Sequence, residues 1–338
     1  MSDEELMESL EGRNLSRRDV LLTGGALAAG ATFLRGPAAA FGALGGASLT
    51  QAKVAVVTHG DTGSFWSVFK KGVDQAAKDI GSGGVRVTQV YANNDVSKQV
   101  AGVNAAIAAK AQVIVTSVPD ASALKDPLTR AASRGIEIIT ANSGLGAFDS
   151  LKTYMTHVGQ TEDIAGQGAG LQFNTAGAKN LVVVIHEASN SGLTQRAAGA
   201  KKTFRGATKT LVIPNATSDL PGMQAKLRAY FKANKKTDAL LGLNPDVTVA
   251  ALAAVPKGTK VGTFDLNGQV INSIKSGKVL FAIDQQQYLQ GYLPVVFGYL
   301  FVNNLNTVGG GQPVLTGPGI VNKANAAKVE KLAKAGTR

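Results

Sequence analysis

Short runs rich in Val, Ile and Leu recur along the chain, at residues 54–57, 85–90, 113–115 and 136–139. Between them lie stretches in which apolar residues return every three or four positions, as in the series Phe65, Phe69, Val73 and Ala76. Runs of this length suit strands covered on both faces, whereas the three-to-four spacing suits helices that bury one face. The pattern predicts alternating strands and helices, with a parallel sheet between two helical layers. A second series repeats the plan, with strands at 181–185, 211–213, 239–241, 261–264 and 279–283 and helices near 192–205, 220–234, 246–254 and 268–276. After residue 283 come an apolar helix over 289–302, a loop at Gly309, Gly310 and Gly311, a strand over 314–321 and an amphipathic helix over 324–335. These additions are too many for one sheet. They predict a fold of the α/β class, with two doubly wound parallel-sheet lobes joined by a hinge of several strands. The expected division is 51–157 with 286–308 for the first lobe, and 158–285 with 309–338 for the second.

Ahead of the first strand the pattern is different. Residues 41–50 are rich in Gly, Ala and Ser and read as a linker. Upstream, Ser16, Arg17, Arg18 and Asp19 precede a 14-residue apolar run over 20–33, loosened by Gly24, Gly25 and Gly30. Crossing a bilayer takes about 20 apolar residues, so this run reads as a cleavable leader and not as an anchor. Ala38, Ala39 and Ala40 form the candidate cleavage region, which makes residues 1–40 a signal peptide. The paired arginines before the run resemble a twin-arginine export leader, an address read by a receptor.

Charge is then best counted without the leader. Its removal leaves 31 Lys and Arg against 17 Asp and Glu, a balance of +14, compared with +12 for the whole chain. The basic residues are dispersed, and no run of five or more occurs. A solvated basic surface is expected, with no nucleic-acid partner. Cysteine is absent, so neither a disulfide nor a lipid-modified cysteine is available.

In an open parallel sheet, ligands bind beyond the carboxyl ends of the strands, where loops converge and helix N-termini present unpaired N–H groups. Reading past each strand gives His59, Asp61, Phe65 and Trp66, then Asn142 and Ser143. In the second series the same rule gives His186, Glu187 and Asn190, then Asn244 and Asp246, Asp265 and Asn267, and Asp284 and Gln285. Planar amides and carboxylates suit vicinal hydroxyls, and the Phe65–Trp66 pair offers a flat apolar wall for the C–H face of a sugar ring. A sugar or polyol is the natural guest. Asn and Asp at these places also serve as helix caps, so each residue carries both readings. The three histidines, His59, His157 and His186, lack metal-ligand spacing, and no nucleotide-binding glycine loop or nucleophile elbow is present. No cofactor, metal or catalytic residue is expected, although Asp61 and Asp265 leave a two-carboxylate enzyme as a competing reading.

These residues, in this order, resemble the type I periplasmic sugar-binding proteins, the ribose-binding-like solute receptors of ABC importers. The likeness extends over residues 53–321. Phe65 and Trp66 fall where the family opens its first helix with two aromatics. Asp265, in Val261-Gly262-Thr263-Phe264-Asp265, falls on the family's sugar-clamping aspartate. Asn244, Gln285 at the crossover and Arg196 fall on further site positions, with Thr194 aligning almost as well as Arg196. Asn142 and Ser143 stand where ribose-like members have an Asp-Arg pair. The resemblance implies a monomeric extracytoplasmic receptor, most naturally periplasmic, that closes about a neutral monosaccharide or polyol and hands it to an importer permease. A sugar-sensing receptor is the alternative. A lactose-repressor-type regulator would need a DNA-reading motif ahead of residue 50, where the leader stands.

Overall fold

The computed structural model describes residues 50–60, 63–147 and 155–338. The leader, nearly all of the linker, and Asp61 lie outside the described residues. The first series contains β1 (Ala52–Thr58), α1 (Gly63–Ile80), β2 (Val85–Tyr91), α2 (Val96–Ala108), β3 (Val113–Thr116), α3 (Ala121–Ala132), β4 (Glu137–Ala141) and β5 (Thr156–Gly159). The second contains α4 (Glu162–Thr175), β6 (Asn180–Ile185), α5 (Ser191–Thr203), β7 (Ala207–Val212), α6 (Leu220–Ala233), β8 (Ala239–Gly242), α7 (Pro245–Ala251), β9 (Lys260–Phe264), α8 (Gly268–Lys275) and β10 (Phe281–Asp284). The chain ends with α9 (Gln287–Asn304), β11 (Val314–Leu315), β12 (Gly319–Asn322) and α10 (Ala326–Ala335).

Two six-stranded sheets result, in the orders β11-β5-β4-β3-β1-β2 and β12-β10-β9-β8-β6-β7. All pairings are parallel except that of β12 with β10. Successive side chains of a strand point to opposite faces, and both faces are apolar here. In β1, Val54 and Val56 pack with Phe69 and Val73 of α1, while Ala55 and Val57 pack with Val103 and Ile107 of α2. In β6, Leu181 and Val183 meet Phe173 and Phe204, and Val182 and Val184 meet Leu227 and Ile271. Burial on both faces is why these strands read as apolar runs.

Three differences from the sequence expectation stand out. First, β5 lies in the first sheet beside β4 and extends that lobe to Gly159. Second, β7 begins at Ala207 and is mostly exposed; its Thr208, Lys209 and Thr210 belong to an edge strand, where polar residues protect an open ladder. Third, the strand expected over 314–321 is two strands. β11 joins the first sheet and β12 the second, and Pro318, which has no N–H to donate, stands between them. The return to the second lobe therefore falls after Leu315 and not at residue 309.

The chain crosses between lobes three times, after β5, β10 and β11, and the crossings brace one another. Thr316 donates its N–H to the Gly159 carbonyl at 2.7 Å and its hydroxyl to the Gln285 carbonyl at 2.7 Å. Gln290 Nε2 reaches Thr316 Oγ1 at 3.1 Å. Within the second lobe, α4 and α5 approach backbone to backbone. A Cβ at Gly166 would lie 2.1 Å from the Arg196 carbonyl oxygen, and one at Gly199 would lie 2.1 Å from that of Asp163. Helix packing therefore accounts for Gly166, and for Gly170, whose Cβ would lie 2.6 Å from the Ala200 carbonyl oxygen, but not for Gly168.

Candidate functional site

Where the carboxyl ends of the two sheets face each other, they enclose a cavity with about 380 Å³ free of protein atoms. The first lobe contributes His59, Phe65, Trp66, Asn142 and Ser143; the second contributes His186, Glu187, Asn190, Leu193, Arg196, Leu243, Asn244 and Asp265, with Gln285 from the crossing. Eight of the nine residues singled out from sequence thus line one cavity: Phe65, Trp66, Asn142, Ser143, Arg196, Asn244, Asp265 and Gln285. The ninth is Asp61.

Asp265 sits just past β9 in the left-handed backbone region, with φ of 66°. Its Oδ2 accepts from Gln285 Nε2 at 3.0 Å, while Oδ1 is buried without a partner. Burial pushes the carboxyl up to about 7, against the opposing pull of Arg196 and the Gln285 hydrogen bond. Gln285 Oε1 in turn accepts from Asn142 Nδ2 at 3.3 Å and from Gln290 Nε2 at 3.1 Å. Ser143 Oγ bonds Asn142 Oδ1 at 3.1 Å and reaches Asn190 Oδ1, on the other lobe, at 3.4 Å. A polar chain therefore runs from one lobe to the other.

Arg196 is buried, not on a helix surface, whereas the neighbouring Thr194 is exposed. Its Nε and Nη2 donate to the two oxygens of Glu162 at 2.5 and 2.9 Å, and its guanidinium carbon lies 4.5 Å from the Phe264 ring centre. The close packing of α4 on α5 places the pair. A bidentate contact of this kind satisfies both partners in a low-dielectric setting. Asn244 caps α7, its Oδ1 accepting from the N–H groups of Asp246 and Val247 at 2.8 and 3.1 Å. Capping occupies the oxygen and leaves the amide donor for a guest.

Glu187, marked by its place past β6 but not chosen from sequence, anchors a second cluster. Its oxygens lie 3.5 Å from His59 Nε2 and 3.6 Å from His186 Nε2, and Asn190 Nδ2 donates to it at 2.7 Å. Burial works to raise the carboxyl, yet His59, His186 and Asn190 together hold it well below the usual carboxylate range. Burial pushes the His186 imidazole down toward the neutral form, and its Nδ1 has no partner. His59 Nδ1 lies 2.7 Å from Ser117 Oγ. The apolar wall is a run of edge-to-face rings, with His59–Trp66 and Phe65–Trp66 centres 4.9 Å apart and Trp66–Phe69 centres 5.4 Å apart. Trp66 belongs both to this wall and to the core of the first lobe. Leu193 and Leu243 were not foreseen, because a leucine at a strand end or in a first helical turn carries no signal that separates it from core.

Residues 54–304 match the family model described as a periplasmic binding protein domain. The chain belongs to the periplasmic binding protein family. A carbohydrate transporter from Acidothermus cellulolyticus 11B, solved in complex with myo-inositol, is 31% identical, with a TM-score of 0.80 over 85% of this chain and 100% of that one. The xylose/arabinose-binding protein XylF of Sulfolobus acidocaldarius is 24% identical over 228 residues, 62% of this chain and 56% of that protein. The xylitol-binding protein of Mycolicibacterium smegmatis is 25% identical over 231 residues, 65% of this chain and 64% of that protein. The matched region thus spans less than two thirds of both curated relatives. The two lobes flank the cavity described above. Lobe-to-lobe contacts continue beyond it: Ser191 donates its hydroxyl to the Pro119 carbonyl at 3.0 Å, and Ser64 bonds Asp246.

Proposed function

We propose that this binding protein is an extracytoplasmic receptor that captures a neutral monosaccharide or related polyol between its lobes and presents it to the permease of an ABC importer. The observation that carries this reading is the pairing of charge in the cavity. Arg196 is taken by both oxygens of Glu162, and Glu187 accepts a hydrogen bond from Asn190 and lies between His59 and His186. An anionic guest would need an uncommitted cation, and a cationic guest an uncommitted carboxylate. Asp265 Oδ1, on a carboxyl pushed up to about 7, is the acidic oxygen left without a protein partner. Together with Asn142, Ser143, Asn190, Asn244 and Gln285 it offers neutral donors and acceptors to hydroxyl groups, with Phe65 and Trp66 as the wall. Xylose, arabinose, xylitol and myo-inositol, the compounds in the relatives' names, are all neutral and polyhydroxylated.

Asp265, Asn142, Arg196 and the other residues predicted from sequence are the proposed binding set, with Asp61 added from its position in the first loop. We read the protein as a receptor and not as an enzyme, because Glu187, the other lining carboxylate among the described residues, is held by two histidines. Residues 1–40 are the proposed twin-arginine leader and 41–50 the linker, which places a monomeric mature protein outside the cytoplasm, most naturally in the periplasm. A thermal-shift screen against pentoses, hexoses, inositols and sugar alcohols tests the reading. A ligand at a hundredfold excess over Kd stabilises the native state by about 2.7 kcal/mol. A panel in which only charged solutes shift the melting temperature would overturn it.

A further inference from the structure

The basic residues look dispersed along the chain, but the fold of the second lobe collects them. Five connections lead into its parallel strands β6 to β10, and every one carries exposed positive charge: Lys179, Arg205, Lys235 with Lys236, Lys257 and Lys278. None of these six forms an ion pair with a described residue. The one acidic residue in these connections, Asp238, is engaged by the N–H groups of Lys179 and Asn180 and by Lys260 Nζ at 3.3 Å. The five connections that leave the same strands carry no Lys or Arg, and they include Glu187, Asp219 and Asp265. Parallel strands put all incoming connections at one pole and all outgoing ones at the cleft. The lobe is therefore electrically polarised along its strands.

Helix dipoles favour cations at helix C-termini and account for Lys201, Lys232 and Lys275 in last turns. They do not call for cations in the loops beyond. Nor is this a general habit of the fold, since the described connections into β2, β3 and β4 of the first lobe carry only Lys110 and Arg134. Neighbouring strands lie about 4.8 Å apart, so the five connections share a face roughly 20 Å wide, with adjacent connections within a Debye length of about 8 Å. At this pole a groove with about 870 Å³ free of protein atoms is lined by Lys209, Tyr230, Lys232, Lys235 and Lys236. The Tyr230 hydroxyl is buried there without a partner.

We infer that the pole of the second lobe opposite the cleft docks on an anionic phospholipid surface. The charge is spread over a broad face and not focused on one pocket, which suits a surface of many head groups. The groove supplies ammonium groups for phosphate oxygens. On the proposed function, a receptor working beside a membrane importer gains proximity through surface charge. Docking by this pole leaves the cleft uncovered.

Sedimentation of the full chain with phosphatidylglycerol–phosphatidylcholine vesicles, and with phosphatidylcholine alone, tests the inference. Binding to the anionic vesicles should exceed that to neutral ones about tenfold in about 50 mM salt and fall by a similar factor near 300 mM. Combined Lys235→Glu, Lys236→Glu, Lys257→Glu and Lys278→Glu should abolish most of that excess. The same charge change on exposed first-lobe residues, Lys98→Glu, Lys110→Glu, Lys125→Glu and Arg134→Glu, should leave binding within about twofold. Equal losses in the two variants would show that net charge alone acts, and an unchanged second-lobe variant would assign binding to another part of the chain. Soluble polyphosphate binding without vesicle binding would assign the pole to a soluble polyanion. Each of these results overturns the inference, and none depends on whether a sugar occupies the cleft.

Discussion

Asp246 of the second lobe caps a helix of the first through Ser64. Its Oδ2 accepts the Ser64 N–H at 2.8 Å and its Oδ1 accepts the Ser64 hydroxyl at 2.5 Å, while Asn267 Nδ2 steadies both at 3.0 Å. The carboxylate thus satisfies an N–H in the first turn of α1 and sits at the positive end of its dipole. Asp246 holds the lobes together without lining the cavity.

Asp246→Ala is accordingly expected to weaken sugar binding by about 1–2 kcal/mol, roughly 5- to 30-fold in Kd, without removing any ligand contact. The loss should fall mainly on dissociation, because the latch spans the two lobes beside the cavity and has to break before they separate. Stopped-flow measurement of the release rate checks this; a Kd loss carried wholly by slower association would contradict it.

Arg196→Ala should destabilise the protein itself. Removing the cation leaves Glu162 buried and unpaired, a change that typically costs about 3–5 kcal/mol. The double change Arg196→Met with Glu162→Gln should recover a large part of that loss, since it removes both charges. Denaturant unfolding of the three proteins decides the matter, and equal stability of the Arg196→Ala and parent proteins would show that the pair contributes little.

Asp265 gives a pH signature. Its carboxyl is raised to about 7 in the fold from an ordinary 3.8, so the native state binds the proton more tightly than the unfolded chain. Its contribution is full below about pH 4 and is lost as pH rises through about 7. His157, lowered to about 4 by burial, and His186, also lowered, act in the opposite sense, with stability lost as pH falls below 6.5. The total profile mixes these effects, but the difference between parent and Asp265→Asn isolates the aspartate. The parent should lose stability relative to Asp265→Asn between about pH 4 and 7. A pH-independent difference in unfolding free energy would refute the shift.

Export supplies a test at the other end of the chain. Replacing Arg17 and Arg18 by Lys keeps the charge but should stop translocation, because a twin-arginine address is read by a receptor and not by charge alone. Fractionation of cells expressing both forms shows the outcome. Normal delivery of the Lys form would remove the twin-arginine route from the account.

Much of the site was legible because the pleat and direction of parallel strands fix which residues reach the cleft. Asn142, Asn244, Asp265 and Gln285 each follow a strand by one or two positions, and that rule together with the family resemblance located them. What could not be read depends on contacts between distant segments. Ser64 and Asp246 are 182 residues apart and meet only where the two lobes come together. Glu162 gave no signal of its own; the glycines of α4 marked a close helix contact, but only the structure shows that the contact seats Arg196 on Glu162. β5, with Thr156 and His157 in a four-residue strand, and the two-residue β11 are too short for periodicity to register. Their absence displaced the expected lobe boundary.

The central claim is that a neutral polyol binds in the cavity between the lobes and is held by Asp265. Calorimetric titration of the parent and Asp265→Ala proteins with the strongest ligand of the thermal-shift screen tests it most directly. The parent should bind one equivalent, and the variant should lose about 2 kcal/mol or more of binding free energy, since a hydrogen bond to the carboxyl goes and an enclosed hydroxyl is left without its partner. Unchanged affinity in a folded Asp265→Ala protein would contradict the account.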